Sequence, residues 1–151
     1  MSRFVLITRH PSGCAELQSL LKPCGITVRP FPVLRLEDLA DDDGWRAVTE
    51  GVASSVERPW LVLASPRAPR RFVAHCAERG LEELLQLPAA AVGPGTAQAA
   101  EEAGLDVEIV GPGTGRGLAI ELAEQLGRPT TVIFACGHDR RPELPQILTD
   151  A

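Results

Sequence analysis

Ala89-Ala90-Ala91-Val92-Gly93-Pro94-Gly95-Thr96 and, a helix length later, Val107-Glu108-Ile109-Val110-Gly111-Pro112-Gly113-Thr114-Gly115 decide the fold of this 151-residue chain. Each is a short apolar run that stops at a turn of small or rigid residues and then opens a helix-like segment. The same succession recurs where Trp60 to Ala64 meets Ser65-Pro66-Arg67, and where Thr131 to Ala135 meets Cys136-Gly137-His138. In a parallel α/β sheet such strand-to-helix turns all fall at the carboxyl edge, where helix N-termini point backbone N–H groups and positive dipole ends outward. That edge is expected to be a wide seat for an anion.

Working outward from these turns, strands and helices alternate along the whole chain. Phe4 to Ile7 reads as a strand, and Leu17, Leu20 and Leu21 stripe a helix that Gly25 ends. Ile26 to Leu34 is the next strand, but Pro30 and Pro32 cannot donate to a ladder, so its latter part is expected at an edge or outside the sheet. Leu39 to Val52 reads as a helix or loose connector with Trp45, Val48 and Val52 on one side. Trp60 to Ala64 is continuously apolar, as a buried parallel strand tends to be. Phe72, Val73 and Cys76 mark the inward side of a helix closing at Gly80, and Thr96 to Ala103 is a short helix stopped by Gly104. Leu118, Ala119, Leu122 and Leu126 stripe a helix ending at Gly127, and Leu144, Ile147 and Leu148 mark the last one. The class is therefore α/β with a mainly parallel sheet.

Composition narrows the function classes. At 44% apolar and 23% charged, the chain can bury one good core, and no apolar stretch approaches membrane-spanning length. A soluble, cytoplasmic protein without a membrane partner is expected. The net charge of −5 argues against a nucleic-acid partner, which would need a basic face. Cys14, Cys24, Cys76 and Cys136 show no Cys-x-x-Cys spacing, and His10, His75 and His138 complete no ligand set with them, so reduced thiols and no metal or other cofactor are expected. Acidic residues crowd Glu37 to Glu57, whereas Arg67, Arg70 and Arg71 stand together. The acidic run reads as a solvated face or connector.

Familiar phosphate loops do not fit. Gly93-x-Gly95 and Gly111-x-Gly113 fail to continue into Gly-x-Gly-x-x-Gly, because Gln98 and Arg116 hold the last positions, and no Gly-Lys-Ser/Thr loop exists. A receiver domain would want carboxylates at strand ends, where this chain has Arg9, Ser65, Gly93 and Cys136.

The ordered set Val5-Leu6-Ile7-Thr8-Arg9, Pro32, Ala64-Ser65-Pro66-Arg67-Ala68, Ala91-Val92-Gly93-Pro94-Gly95-Thr96-Ala97, Gly115-Arg116-Gly117-Leu118-Ala119 and Cys136-Gly137-His138-Asp139-Arg140-Arg141 with Leu144 resembles the uroporphyrinogen-III synthase family. The resemblance implies a flavodoxin-like parallel sheet with helices on both faces, incomplete relative to the two-domain family. It covers about the first three fifths of the family's length. Residues 1–35 would be a strand-helix-strand arm of the family's first domain, 36–58 a linker or helix, and 59–151 a flavodoxin-like domain short of its last strand.

That family dehydrates and cyclises the linear tetrapyrrole hydroxymethylbilane to uroporphyrinogen III, with inversion of ring D. The substrate's eight carboxylates suit an anion seat. The resemblance implies substrate-binding roles for Arg9, Ser65, Arg67, Gly93, Thr96, Gly137 and Arg141, with catalytic residues unassigned. Ser65 and Thr96 read equally as helix N-caps, Arg67 and Arg141 as surface arginines, and Gly93 and Gly137 as ordinary turn glycines. Cys136 has no histidine placed locally as its base. The family's tyrosine in the strand that would follow Leu148 has no counterpart, since the chain contains no tyrosine. Two readings follow: the synthase itself, alone or as a homodimer, or a truncated, non-catalytic polycarboxylate-binding module of the same fold.

Overall fold

The computed structural model describes residues 3–35, 37–39, 41–127, 129–138 and 141–151. Packing divides the chain into two compact units, Met1–Asp41 and Asp42–Ala151.

In the first unit, β1 (Arg3–Ile7) leads through a 3-10 turn into α1 (Ala15–Leu21), and a second 3-10 turn returns the chain to β2 (Ile26–Pro30). Gly25, at φ 67°, supplies the left-handed turn that reverses the chain into β2. β1 and β2 are parallel, with Val5 opposite Val28. Cys14 and Val28 are buried, while Phe4 and Leu6 are exposed, with the Arg29 guanidinium 4.4 Å above the Phe4 ring. The strand expected over Ile26 to Leu34 stops at Pro30. The Phe31 amide still donates to the Ile7 carbonyl at 2.7 Å, but residues 31–35 then leave the ladder, as two prolines in the run require.

The second unit begins with α2 (Asp42–Ala53), so this part of the connector stretch is a helix of that unit. There follow β3 (Trp60–Leu63), α3 (Ala68–Arg79), β4 (Ala89–Ala91), α4 (Pro94–Glu102), β5 (Val107–Val110), α5 (Gly115–Leu126), β6 (Val132–Ala135) and α6 (Glu143–Asp150). A 3-10 segment at Glu82–Gln86, which the periodicity did not reveal, joins α3 to β4. Gly80 and Gly127 close α3 and α5 at φ 66° and 59°, where a side chain would be strained. α4 starts two residues earlier than Thr96, because Pro94 needs no amide partner at the first helical position.

The four strands form one parallel sheet in the order β5-β4-β3-β6. β3 is central, and Leu61, Val62 and Leu63 have no solvent exposure, which explains its unbroken apolar sequence. Alternate side chains feed two cores. Leu61, Leu63, Ala89 and Ile133 pack with Phe72 and Cys76 of α3, Ala100 of α4 and the inner side of α2, including Trp45. Val62, Ala90 and Ile109 pack on the other face with Leu118, Ala119 and Leu122 of α5 and Leu144 of α6. The chain winds β3-β4-β5 across one side, then returns past β3 to lay down β6. This reversal puts α3 and α4 on one face and α5 and α6 on the other.

Candidate functional site

Register aligns the carboxyl ends of all four strands. Leu63 lies opposite both Ala91 and Ala135, and Ala91 lies opposite Val110. The turns after these strands therefore stand side by side along one rim, in the order 111–115, 93–96, 65–67 and 136–138. Strand order reverses between β3 and β6, the position where open α/β sheets hold ligands in a crevice outside the strand ends.

Each turn is built differently. After β3, the Ala68 amide donates to the Ser65 carbonyl at 3.1 Å, and Arg67 occupies the N-cap of α3 without a side-chain cap bond. Ser65 is thus not the cap of α3, and both residues are exposed. Arg70, in the first turn of the same helix, is drawn to Glu102 at 3.3 Å. After β4, Gly93 caps α4, and the Thr96 and Ala97 amides both donate to its carbonyl at 3.0 Å. Pro94 has no amide to give, so the Gly95 N–H is the first-turn donor that these bonds do not consume. Thr96 is only 2% exposed, so it meets little solvent and is not the N-cap.

The turns after β4 and β5 lock together. The Gly113 amide donates to the Val92 carbonyl at 2.7 Å, and a Cβ on Gly93 would lie 3.0 Å from the Gly113 Cα. Gly93 is buried by this backbone-to-backbone approach, so its missing side chain admits the neighbouring turn. Gly113 itself has φ 94°. Thr114 caps α5 by accepting the Gly117 amide at 3.1 Å, and a Cβ on Gly117 would sit 2.3 Å from Pro112 Cγ. The family resemblance implies no substrate-binding residue in this turn. Its Thr-x-x-Gly spacing before the Leu118 stripe was the available signal for the cap.

The turn after β6 departs from expectation. Cys136, Gly137 and His138 are exposed, but α6 does not open until Glu143, with Pro142 at its N-cap. The last strand therefore ends in a longer loop, and Cys136 is not at a helix N-terminus. No described residue lies within 4 Å of a Cβ built on Gly137, and Arg141 is exposed just before α6. Asp139 and Arg140 of the same motif lie outside the described residues.

Three of the four helix starts on the rim are left positive. The first turns of α3, α4 and α5 carry no acidic residue, whereas that of α6 carries Glu143 and those of α1 and α2 carry Glu16 and Asp42-Asp43. Three helix dipoles on the rim thus lack the local carboxylate that commonly offsets them. Arg9 stands beyond β1 in the first unit. The structure therefore brings Ser65, Arg67, Gly93, Thr96, Gly137 and Arg141 to one sheet edge.

The buried Cys76 thiol, on the inner side of α3, has its pKa raised from 9.0 to about 11, by burial first and then by Glu83 and Glu82. It is held as the neutral thiol at physiological pH, away from the rim. Among the described residues, no group of three or more His, Cys, Asp or Glu side chains is placed to hold a metal ion. No described helix is long and apolar enough to cross a membrane.

Comparison with known proteins agrees with this architecture. No curated protein matches the chain. Three solved structures of uroporphyrinogen III synthase from Thermus thermophilus match it: a selenomethionine mutant at 20% identity and TM-score 0.67, the wild type at 22% and 0.58, and another at 21% and 0.56. They cover 98–99% of this chain, which spans only 57–58% of theirs. At that identity the likeness is one of fold. The family model described as Uroporphyrinogen-III synthase HemD matches residues 15–151, and through that match the chain belongs to the uroporphyrinogen-III synthase family.

Proposed function

We propose that the chain acts on hydroxymethylbilane as a uroporphyrinogen-III synthase, dehydrating and cyclising the linear tetrapyrrole with inversion of ring D. The observation that carries the reading is the single rim of four adjacent turns, with three helix starts free of acidic residues and a reversal of strand order between β3 and β6. A ligand bearing many carboxylates matches that rim in charge and in breadth. Arg67 and Arg141 hold substrate carboxylates by charge-assisted hydrogen bonds, while Ser65 and the Gly137 backbone flank the point where strand order reverses. Gly93 and Thr96 serve from behind, by fixing the α4 turn. The assignment of Arg9 rests on family resemblance alone.

Such a reaction asks little of acid–base chemistry. The electron-rich pyrrole drives loss of the hydroxyl group, so the protein's contribution is to fold the chain until its ends meet. Backbone amides fixed in the turns supply orientation without the cost of ordering long side chains. No residue of the rim is assigned as a general acid.

A second reading is favoured by the rim itself, which offers arginines and helix starts to carboxylates but no residue assigned as a general acid. In it, the chain seats polycarboxylates on this rim without turning them over. The two readings separate in one experiment: purified protein is supplied with hydroxymethylbilane, and the isomers formed are quantified after oxidation. An excess of type III over the type I product of spontaneous closure supports the synthase. Type I alone, with salt-sensitive binding of the substrate, supports the binding module. Type I alone with no binding rejects both.

A further inference from the structure

Arg67, Arg70 and Arg71 stand together in the sequence with no acid beside them, and only the first of them enters the reading of the rim. The structure parts the three. Arg67 is the N-cap of α3, is exposed and makes no ion pair among the described residues. Arg70 is the third residue of that helix, and its guanidinium lies 3.3 Å from Glu102 Oε2. Arg71 is engaged in an interaction of its own.

The Arg70 pair points away from the rim. α4 starts at the rim with Pro94 and ends at Glu102, which places this acid about 12 Å along its helix from the rim, whereas Arg70 stands about 3 Å along α3. Helical side chains lean toward the N-terminus of their own helix, so an unpaired Arg70 would lean toward the rim. Glu102 turns it the other way. The acid is itself held, because Gln98 Nε2 donates to its Oε1 at 3.1 Å while Arg70 takes Oε2, so each carboxylate oxygen has its own donor.

Arg67 and Arg70 are near neighbours all the same. The Arg67 backbone already has helical angles, φ −90° and ψ −25°, and residues three apart on a helix lie on one face with Cβ atoms about 5–6 Å apart. A carboxylate bound to Arg67 therefore brings the next carboxylate of the same ligand within reach of Arg70.

We propose that Arg70 is a further carboxylate-binding residue of the rim, which Glu102 withholds until a ligand with several carboxylates takes it over. The inference rests on the reading of the rim as a carboxylate seat, and it adds how that seat selects. Glu102 is part of the chain and so faces Arg70 at high effective concentration, against which a free monocarboxylate or dicarboxylate competes poorly. A ligand already held at Arg67 presents its next carboxylate with the same advantage. The exchange is close to balanced, since the side chains of Arg70 and Glu102 are 75% and 50% exposed and such pairs are weak. The seat thereby responds to the number and spacing of carboxylates, beyond charge alone.

Titration calorimetry with benzenehexacarboxylate, and with succinate as the dicarboxylate comparison, tests this. Glu102→Gln is expected to bind the hexacarboxylate about two- to fivefold more tightly than Glu101→Gln, an equal change of charge beside it on α4. Succinate is expected to bind the two variants alike, and adding Arg70→Ala to Glu102→Gln is expected to erase the gain. In the parent protein the Arg70 Nε–H resonance is expected to shift with the hexacarboxylate and not with succinate, a readout that needs no variant to fold. If Arg67→Ala weakens binding but Glu102→Gln matches Glu101→Gln, the seat stands and the role of Arg70 is overturned. A gain that succinate shares, or an Arg70 resonance that does not move, overturns it equally. A parent protein that binds neither acid overturns the carboxylate seat, and this inference with it.

Discussion

Gly93→Ala and Gly137→Ala separate the two uses a glycine can have on this rim. Gly93 has extended backbone, φ −178°, which alanine adopts freely, so any cost comes from space alone. Its new Cβ would lie 3.0 Å from the Gly113 Cα and 3.3 Å from the Gly113 nitrogen. These are backbone atoms anchored by the Gly113–Val92 hydrogen bond, so the 111–115 turn must shift as a whole. Overpacking of this kind costs ~1–3 kcal/mol, and the smaller conformational freedom of alanine in the unfolded chain returns about 0.4–1. A net loss between about 0 and 2.6 kcal/mol, centred on ~1.3, is expected from these two effects. At Gly137 no described residue lies within 4 Å, so its alanine variant should fall within about 0.5 kcal/mol of the parent. Urea denaturation followed by tryptophan fluorescence measures both, because the protein's two tryptophans, Trp45 and Trp60, lie in the second unit. Binding of a polycarboxylate ligand is then compared. Gly137→Ala should weaken it with stability intact, and Gly93→Ala should weaken it only as far as the rim is disturbed. Equal stability of the two variants would refute the packing account of Gly93.

Thr114→Ala removes the side-chain acceptor of the Gly117 amide and should cost about 0.5–2 kcal/mol in the same urea assay. Arg141→Ala should weaken polycarboxylate binding and flatten its dependence on salt; binding indifferent to both would remove Arg141 from the seat. Because the Cys76 thiol is raised to about 11, its contribution to stability is complete below the unfolded value of 9.0 and is lost as pH rises toward 11. The unfolded thiol releases its proton first, giving a fall of about 1.4 kcal/mol per pH unit across that window. Cys76→Val should abolish that slope, as measured by urea midpoints between pH 8.5 and about 11. With a thiol reagent near neutral pH, the exposed Cys24 and Cys136 should react while Cys76 stays inert until the fold is opened.

Much of the architecture was legible in the chain. Glycines at 80 and 127 end helices because a left-handed residue must close them, and that demand is local. The unbroken run Leu61-Val62-Leu63 announces burial on both faces, which only a central strand with helices on either side provides. Pro30 and Pro32 forecast where β2 would leave its ladder. The 3-10 segment at Glu82–Gln86 and the long loop before α6 were not visible, because neither has a period that a short window can detect.

The candidate site was legible only in kind. That strand-to-helix turns converge on one edge is a consequence of parallel strands, and the sequence by itself determined it. The order of those turns, the reversal between β3 and β6, and the burial of Thr96 came from tertiary structure alone. So did the partner of Gly93, because a residue's sequence neighbours dictate its backbone conformation but not which distant turn packs against it. Alternation and caps state which face of an element is buried. Strand order is chosen by how whole layers pack together, and no single segment carries that information.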